Sequence, residues 1–211
     1  MTLANAARSL NVPRHLHLHR HRQWRGPAVL LVTDEVRLPD PLPAMARLPA
    51  GSGVLLRHYR SPDRPGLARA VAALARCRRL VLLVAGDWQL AARLGADGLH
   101  LPEGLARHGV LAPALGWLRR RKGLLSVACH SQAALGRAAR LGADAALLSP
   151  AFATRSHAGA QPIGPVRFGL WSRKARLAVI ALGGIDRHST RRLPKGSAAG
   201  LAAIGGFLDA R

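Results

Sequence analysis

Leu94-Gly95-Ala96-Asp97-Gly98 recurs further along the chain as Leu141-Gly142-Ala143-Asp144-Ala145, and this repeat is the strongest indication of the architecture. Each copy closes a stretch rich in Ala, Leu and Arg and opens a short apolar run. Glycine suits the left-handed position that ends a helix, and a short polar Asp turns the chain back towards a sheet. A looser third copy reads Gly196-Ser197-Ala198-Ala199-Gly200. The repeat therefore predicts successive units of helix, turn and strand.

Short apolar runs alternate with longer amphipathic stretches from residue 27 onward. Runs that lack a period of two fit strands buried on both faces, as in parallel sheets. Such units build either an open doubly wound sheet or a closed barrel. Eight strands favour a single (β/α)8 TIM barrel over residues 27–211, because it leaves no exposed sheet edge. We predict strands at 28–32, 54–57, 80–84, 98–101, 124–128, 145–148, 178–182 and 200–204, and helices at 67–77, 87–94, 131–141 and 166–174.

Residues 1–26 form a basic, histidine-rich segment ahead of the predicted barrel. It contains the run Arg14-His15-Leu16-His17-Leu18-His19-Arg20-His21-Arg22, in which the histidines alternate with other residues. On an extended strand these imidazoles would share one face, where they could hold a transition metal. They have no Cys or carboxylate companions at fixed spacing, so a solvated extension is the favoured interpretation and no metal site is predicted.

The charge of the chain is extreme, because 32 Lys or Arg against 10 Asp or Glu give a formal net charge of +22 over 211 residues. Apolar residues make up 49% of the sequence, which excludes a disordered basic tail for the chain as a whole. Only Lys122, Lys174 and Lys195 are lysine, and aromatic residues amount to 4%, so platforms for base stacking are scarce. Nucleic acid is therefore expected only as an adventitious polyanion partner.

Cysteine content and hydropathy favour a cytoplasmic protein with no membrane partner. Cys77 and Cys129 are too few for a disulfide framework, so a reducing compartment is expected. No run approaches the roughly 18 apolar residues of a membrane-spanning helix, and the basic N-terminus lacks the apolar region of a signal peptide. The sequence leaves a homo-oligomer open.

In such a barrel, the residues that follow each strand form the active-site face. Two glycine pairs, Gly183-Gly184 and Gly205-Gly206, follow the seventh and eighth strands. Barrels commonly bind phosphate there, through backbone N–H groups and a short extra helix, which we place at 207–210. Two tight turns are the alternative. The other strand ends carry polar residues, namely Thr33-Asp34, Arg57-His58-Tyr59, Gly86-Asp87, His100, His130-Ser131 and Ser149-Pro150.

Several motifs occur in a fixed order: Val32-Thr33-Asp34, Gly95-Ala96-Asp97-Gly98-Leu99-His100-Leu101, Cys129-His130-Ser131, Ser149-Pro150-Ala151-Phe152-Ala153-Thr154 and Ile180-Ala181-Leu182-Gly183-Gly184-Ile185. Together they resemble the thiamine phosphate synthase/TenI superfamily over about residues 28–208. The resemblance implies a TIM barrel that binds thiazole phosphate, with pyrimidine pyrophosphate as second substrate in the synthase branch. In TenI proteins, the histidine that matches His130 transfers a proton while a thiazole carboxylate tautomer is aromatised, which requires no metal.

The chain also departs from the synthases where they handle the second substrate. Magnesium prefers hard carboxylate oxygens, and at least one of the two magnesium-binding Asp residues is absent, so Mg²⁺ is expected only in a true synthase and no other cofactor is predicted. The synthases have a Gln-x-Arg-x-Lys motif after the second strand, and here its positions read Leu55, Arg57 and Tyr59, so only the arginine remains. Their Asn-Asp pair after the third strand falls on Ala85-Gly86, with Asp87 one position later, and their second magnesium-binding Asp falls on Leu105. A family serine is replaced by Ala128 and a family lysine by His157.

TenI-like aromatisation fits the surviving residues best, with His130 as the catalytic residue that takes a proton from one carbon and returns it elsewhere. A divergent synthase and a non-catalytic phosphate- or polyanion-binding barrel are the alternatives. Asp97 and Asp144 are predicted to stabilise turns, and a nucleophilic role for Cys129 is disfavoured. The predicted substrate-binding residues are Arg57, Tyr59, Thr154 and His157, and the predicted phosphate-binding residues are Gly183, Gly184, Gly205 and Gly206.

Overall fold

The computed structural model describes residues 24–154 and 161–205. Parallel strands close into a barrel in which each strand pairs with its neighbours in sequence and the eighth pairs with the first. The predicted TIM barrel is therefore confirmed, and each predicted strand is present with bounds that differ by at most one residue. The strands are β1 Val29–Val32, β2 Gly53–Leu56, β3 Val81–Ala85, β4 Gly98–Leu101, β5 Leu124–Cys129, β6 Ala145–Leu148, β7 Ala178–Leu182 and β8 Gly200–Ala203.

The helices in the described residues are α1 Leu42–Ala46, α2 Arg64–Cys77, α3 Trp88–Leu94, α4 Glu103–His108, α5 Ala112–Arg121, α6 Gln132–Arg140 and α7 Pro165–Lys174. The four predicted helices are present as α2, α3, α6 and α7, and the side chains of Asp63, Asp87 and Ser131 cap the first three of these. The sequence reasoning missed α1, α4 and α5, each of which has proline before or within its first turn. The helix predicted at 207–210 lies outside the described residues.

Strand side chains fill two apolar layers, because successive residues point to opposite faces of the barrel wall. Leu30, Leu55, Leu83, Leu147 and Ile180 pack inside the barrel, and each is at most 1% exposed. Their neighbours along the strands pack outward against the helices. The interior of the barrel is therefore a packed core and not a pore. Burying an aliphatic side chain of this size contributes about 1.5–3 kcal/mol to stability. No helix among the described residues has the length and apolar character needed to span a bilayer.

The repeated Gly-Ala-Asp turns lie at the amino ends of the strands. Gly95 and Gly142 adopt the predicted left-handed conformation, with φ of 64° and 75°. The Asp97 carboxylate accepts the Leu82 N–H of β3 at 2.7 Å, and the Asp144 carboxylate accepts the Leu125 N–H of β5 at 2.8 Å. These aspartates therefore join adjacent strands in addition to turning the chain.

Trp24 extends the apolar core at the same end of the barrel. Its ring packs against the interior cluster, and its indole N–H donates to the Pro27 carbonyl at 3.2 Å. Trp24 lies within the segment 1–26 that the sequence predicts to be an extension, so the described end of that segment contributes to the core. The histidine run lies outside the described residues.

Candidate active site

At the mouth of the barrel, polar side chains that follow β1 and β2 form one hydrogen-bonded group. Thr33 is fully buried, and its hydroxyl lies 2.8 Å from His58 Nδ1 and accepts the Arg57 backbone N–H at 2.9 Å. His58 is buried in the wall, and Tyr59 is 44% exposed. The two side chains therefore face opposite ways, as the alternation along an extended chain predicts.

Asp34 orients the Arg57 side chain at this mouth. One carboxylate oxygen lies 2.7 Å from Arg57 Nη2 and 3.1 Å from Arg37 Nη2, and the other accepts the backbone N–H groups of Val36 and Arg37. Burial raises the pKa of Asp34, but the hydrogen bonds and charge of Arg37 and the Val36 N–H together lower it to about 2. Arg57 is therefore held by a carboxylate that stays ionised near neutral pH.

Arg64, the first residue of α2, is a second arginine at the mouth that is held in place by an aspartate, here Asp87 beside β3. Its Nη1 lies 3.3 Å from an Asp87 carboxylate oxygen, and its Nη2 donates to the Ala85 carbonyl at 3.0 Å. The guanidinium carbon lies 5.8 Å from the centre of the Tyr59 ring, a cation–π contact. The other Asp87 oxygen accepts the Leu90 N–H at 2.8 Å and so caps α3.

The residues at this corner do not fit a magnesium site. One oxygen of Asp87 caps a helix and the other is paired with Arg64, and Leu105 offers no oxygen where the synthases have a second Asp. Among residues 24–154 and 161–205, no three His, Cys, Asp or Glu side chains come together. Mg²⁺ usually binds through one or two carboxylates together with substrate phosphates and water, and at this corner both oxygens of Asp87 already have partners.

His100 lies below the mouth, inside the barrel. Its Nδ1 is 2.9 Å from Ser126 Oγ, and burial, assisted by the charge of Arg57, lowers the pKa of His100 to about 3. This imidazole is therefore neutral at physiological pH, and it forms a polar floor for the site.

His130 follows β5 and projects into the mouth with 46% of its side chain exposed. Its Nδ1 lies 2.8 Å from the Ser149 carbonyl oxygen. A carbonyl only accepts, so Nδ1 carries a proton and Nε2 is the nitrogen that gains or loses one. The neighbouring Cys129 is buried, and burial raises the pKa of its thiol to about 12, which supports the prediction that it is not a nucleophile.

The predicted phosphate loop begins with Gly183 and Gly184, which have φ of 92° and 63°. A Cβ at Gly183 would lie 2.8 Å from Pro150 Cα, and one at Gly184 would collide with the Ala153 carbonyl oxygen. Only glycine therefore fits this turn. Within the part of the chain that the structure describes, neither amide N–H donates to an acceptor. Two adjacent open amides are the arrangement that binds an anion.

The Ser149-Pro150 segment brings His130 and the glycine turn together. The Ser149 carbonyl holds the His130 ring, and the next residue, Pro150, packs against Gly183. Arg57 and Tyr59 lie across the mouth at the end of β2. Thr154 is half-buried at the end of one described stretch, Gly205 is exposed at the end of the other, and His157 and Gly206 lie outside them.

Three side chains near the mouth were missed by the sequence reasoning. Glu103 Oε2 lies 4.0 Å from His130 Nε2, and Glu103 Oε1 lies 2.6 Å from Arg137 Nη2. Arg64 is the third. The only signal for Glu103 was its position two residues after β4, in a chain whose only other glutamate is Glu35.

The family model and the curated relatives described here agree with one another. The family model described as thiamine monophosphate synthase matches residues 29–207. A putative thiamine-phosphate synthase 2 from Aquifex aeolicus is 34% identical over 143 residues, covering 68% of this chain and 74% of that protein. A thiamine-phosphate synthase from Herpetosiphon aurantiacus is 31% identical over 198 residues, covering 89% and 90%.

A solved structure shares the fold. The thiamine phosphate pyrophosphorylase from Pyrococcus furiosus superimposes with a TM-score of 0.68 over 87% of this chain and 88% of that one, at 21% sequence identity. At this identity the likeness concerns the barrel and not the chemistry of its mouth.

Proposed function

This chain belongs to the thiamine monophosphate synthase family, and we propose that it binds thiazole phosphate at the Gly183-Gly184 turn and joins it to pyrimidine pyrophosphate, releasing pyrophosphate. The relatives carry the name thiamine-phosphate synthase, which favours this reaction over the aromatisation that the residues alone suggested first. The family assignment makes the protein an enzyme of thiamine biosynthesis. The reaction itself is the proposal.

The observation that carries the proposal is the pair of amide N–H groups at Gly183 and Gly184, which have no acceptor among the described residues. Their left-handed conformations keep the peptide groups oriented before any ligand arrives. A phosphate placed there receives hydrogen bonds without reorganisation of the backbone. Gly205, and Gly206 outside the described residues, are proposed to complete this phosphate site from the end of β8.

The remaining predicted residues have separate roles in this proposal. His130, held through Nδ1, presents Nε2 beside the bound thiazole, where it exchanges a proton in the aromatisation that is the second candidate. Arg57, fixed by Asp34, offers its guanidinium to an anionic group of the second substrate. Tyr59 and Thr154 would contact substrate from opposite sides of the mouth, with His157 next to Thr154 in sequence.

Metal-free aromatisation is the second candidate, and the environment of Asp87 favours it. A carboxylate that caps α3 and pairs with Arg64 is not disposed to hold Mg²⁺, and Leu105 cannot replace the second ligand. Aromatisation of a thiazole carboxylate tautomer needs only a group that moves a proton between carbons. His130 supplies one without any metal.

The test is an assay of purified protein with thiazole phosphate, pyrimidine pyrophosphate and Mg²⁺ for the synthase reaction, and with the thiazole phosphate carboxylate tautomer alone for aromatisation. Thiamine phosphate formation supports the synthase reaction. Aromatisation that continues in EDTA without pyrimidine pyrophosphate supports the second candidate instead.

Calorimetric binding of thiazole phosphate is measured in parallel, with Gly184→Val as the variant that fills the turn. No product in either assay, together with binding that the variant abolishes, would indicate a non-catalytic binding barrel. Unchanged affinity in Gly184→Val would remove the phosphate site from this turn.

A further inference from the structure

Glu103 and Arg137 form a charged chain that ends on His130. Arg137 of α6 lies 2.6 Å from Glu103 Oε1, within the range of strong charge-assisted hydrogen bonds. The second oxygen of Glu103, the first residue of α4, lies 4.0 Å from His130 Nε2. The Glu103 and Arg137 side chains are each 24% exposed, so they are partly shielded from solvent.

The opposite side of the His130 ring is held by backbone. Because Nδ1 donates to the Ser149 carbonyl, the imidazole presents Nε2 towards Glu103. The ring therefore lies between a neutral acceptor from the end of β6 and a carboxylate from α4. This arrangement resembles other sites in which a histidine base is oriented by a third group.

Glu103 is placed to act on a positive charge at His130 Nε2. A carboxylate about 4 Å from a protonated ring nitrogen attracts its charge and so stabilises the protonated form. Near this pair lie Arg137, which is engaged by Glu103, the Ser149 hydroxyl, which is 3.3 Å from His130 Nδ1, and the buried Cys129 thiol, whose pKa of about 12 keeps it neutral.

We propose that Glu103 is a positioning residue that stabilises protonated His130, and that Arg137 limits this effect by sharing the carboxylate. The inference rests on the proposed function only for its catalytic consequence, since the pairing is a property of the protein without substrate. In aromatisation, the proton taken from one carbon of the thiazole tautomer resides on Nε2 until it is returned to another, and Glu103 lengthens the lifetime of that state. Arg137 fixes the direction of the Glu103 carboxylate through its 2.6 Å contact with Oε1.

The test is an NMR titration of the His130 ring protons in the full chain without substrate. The resonance is assigned as the one absent from His130→Gln. In Glu103→Gln, the midpoint is expected to move to lower pH by about 0.5–1 unit, because a charge about 4 Å away is lost. In Arg137→Gln the midpoint is expected to move to higher pH, because Glu103 keeps its charge and loses its competing partner.

Glu35→Gln is the matched control. It removes the same charge from the same end of the barrel, but it follows β1, which lies opposite β5 in the strand order. In Glu35→Gln, the His130 midpoint is expected to move by less than about 0.2 pH unit, because solvent and salt screen charges at that separation. Melting temperatures of all variants check that the fold is retained.

Opposite shifts in Glu103→Gln and Arg137→Gln would support the pairing, since a merely structural role would not reverse its sign. An unmoved midpoint in Glu103→Gln, or an equal shift in Glu35→Gln, would overturn it. Turnover is then measured, and Glu103→Gln is expected to lower kcat by about fivefold to tenfold with little change in KM. Shifted midpoints in a protein that is inactive in both assays would keep the pairing and reject the proposed function.

Discussion

The aspartates at the two ends of the barrel have different partners. At the amino ends of the strands, Asp97 and Asp144 accept backbone N–H groups of adjacent strands. At the mouth, Asp34 and Asp87 pair with the side chains of Arg57 and Arg64. The first pair joins elements of the fold, whereas the second pair holds charged side chains where a ligand would enter.

The glycines differ between the two ends in the same way. Gly95 and Gly184 have nearly the same φ, 64° and 63°, but a Cβ at Gly95 would meet no atom within 4 Å, whereas a Cβ at Gly184 would collide with backbone. The turn at the amino end needs glycine for its conformation alone. The turn at the mouth also needs it for space, which is expected where a backbone must stay open to an anion.

The largest expected effect separates chemistry from anchoring within the mouth. His130→Ala is expected to lower kcat by about 10²–10⁴-fold, because general acid–base catalysis is lost, while Arg57→Ala is expected mainly to raise KM. Steady-state kinetics on both variants measure the contrast. Full activity of His130→Ala in both the synthase and the aromatisation assay would return His130 to a structural role at the rim.

The second effect compares the two glycines directly. Gly95→Ala is expected to destabilise the fold by about 1–2 kcal/mol, the cost of a left-handed alanine. Gly184→Ala is expected to cost about 1–3 kcal/mol more, because the segment after β6 must move away from the new Cβ. Urea denaturation gives both values. Equal losses would mean that the turn at the mouth is no tighter than the repeat.

The third effect concerns His100, whose folded-state pKa of about 3 lies well below the usual value of 6.5. A lowered histidine pKa contributes stability that is present above about pH 6.5 and is lost as pH falls towards 3, since the unfolded chain binds the proton first. The free energy of unfolding is expected to fall by about 1.4 kcal/mol per pH unit between pH 6 and 4. His100→Gln should flatten this dependence, and an unchanged slope would contradict the assignment.

The fold could be predicted from the sequence because the patterns that indicate it each involve only neighbouring residues. The repeated Gly-Ala-Asp turns and the apolar runs each report on a few neighbouring residues, and barrel closure follows from their number and order. The positions of His130, Gly183 and Gly184 at strand ends followed in the same way. The charged chain from Arg137 through Glu103 to His130 did not, because it depends on how α4 and α6 pack over β5, which no local pattern encodes.

The fourth effect tests the amino-end aspartates. Asp97→Ala removes the acceptor of the Leu82 N–H, and water replaces it only in part, so a loss of about 1 kcal/mol is expected. Because the change lies at the end of the barrel remote from the mouth, kcat and KM should stay within about twofold of the values for the unsubstituted protein. A large loss of activity at unchanged stability would show that the two ends are coupled.

The smallest effect is expected from the basic N-terminal segment. Deleting residues 1–23 keeps Trp24, whose ring packs against the barrel interior, and removes a segment that contains the basic histidine run and lacks a long apolar pattern. The free energy of unfolding should change by less than about 0.5 kcal/mol. Trp24→Ala in the full chain is the control, with an expected loss of about 1–2 kcal/mol of apolar burial. If the deletion costs as much as the Trp24 change, the segment contributes to closing the amino end of the barrel.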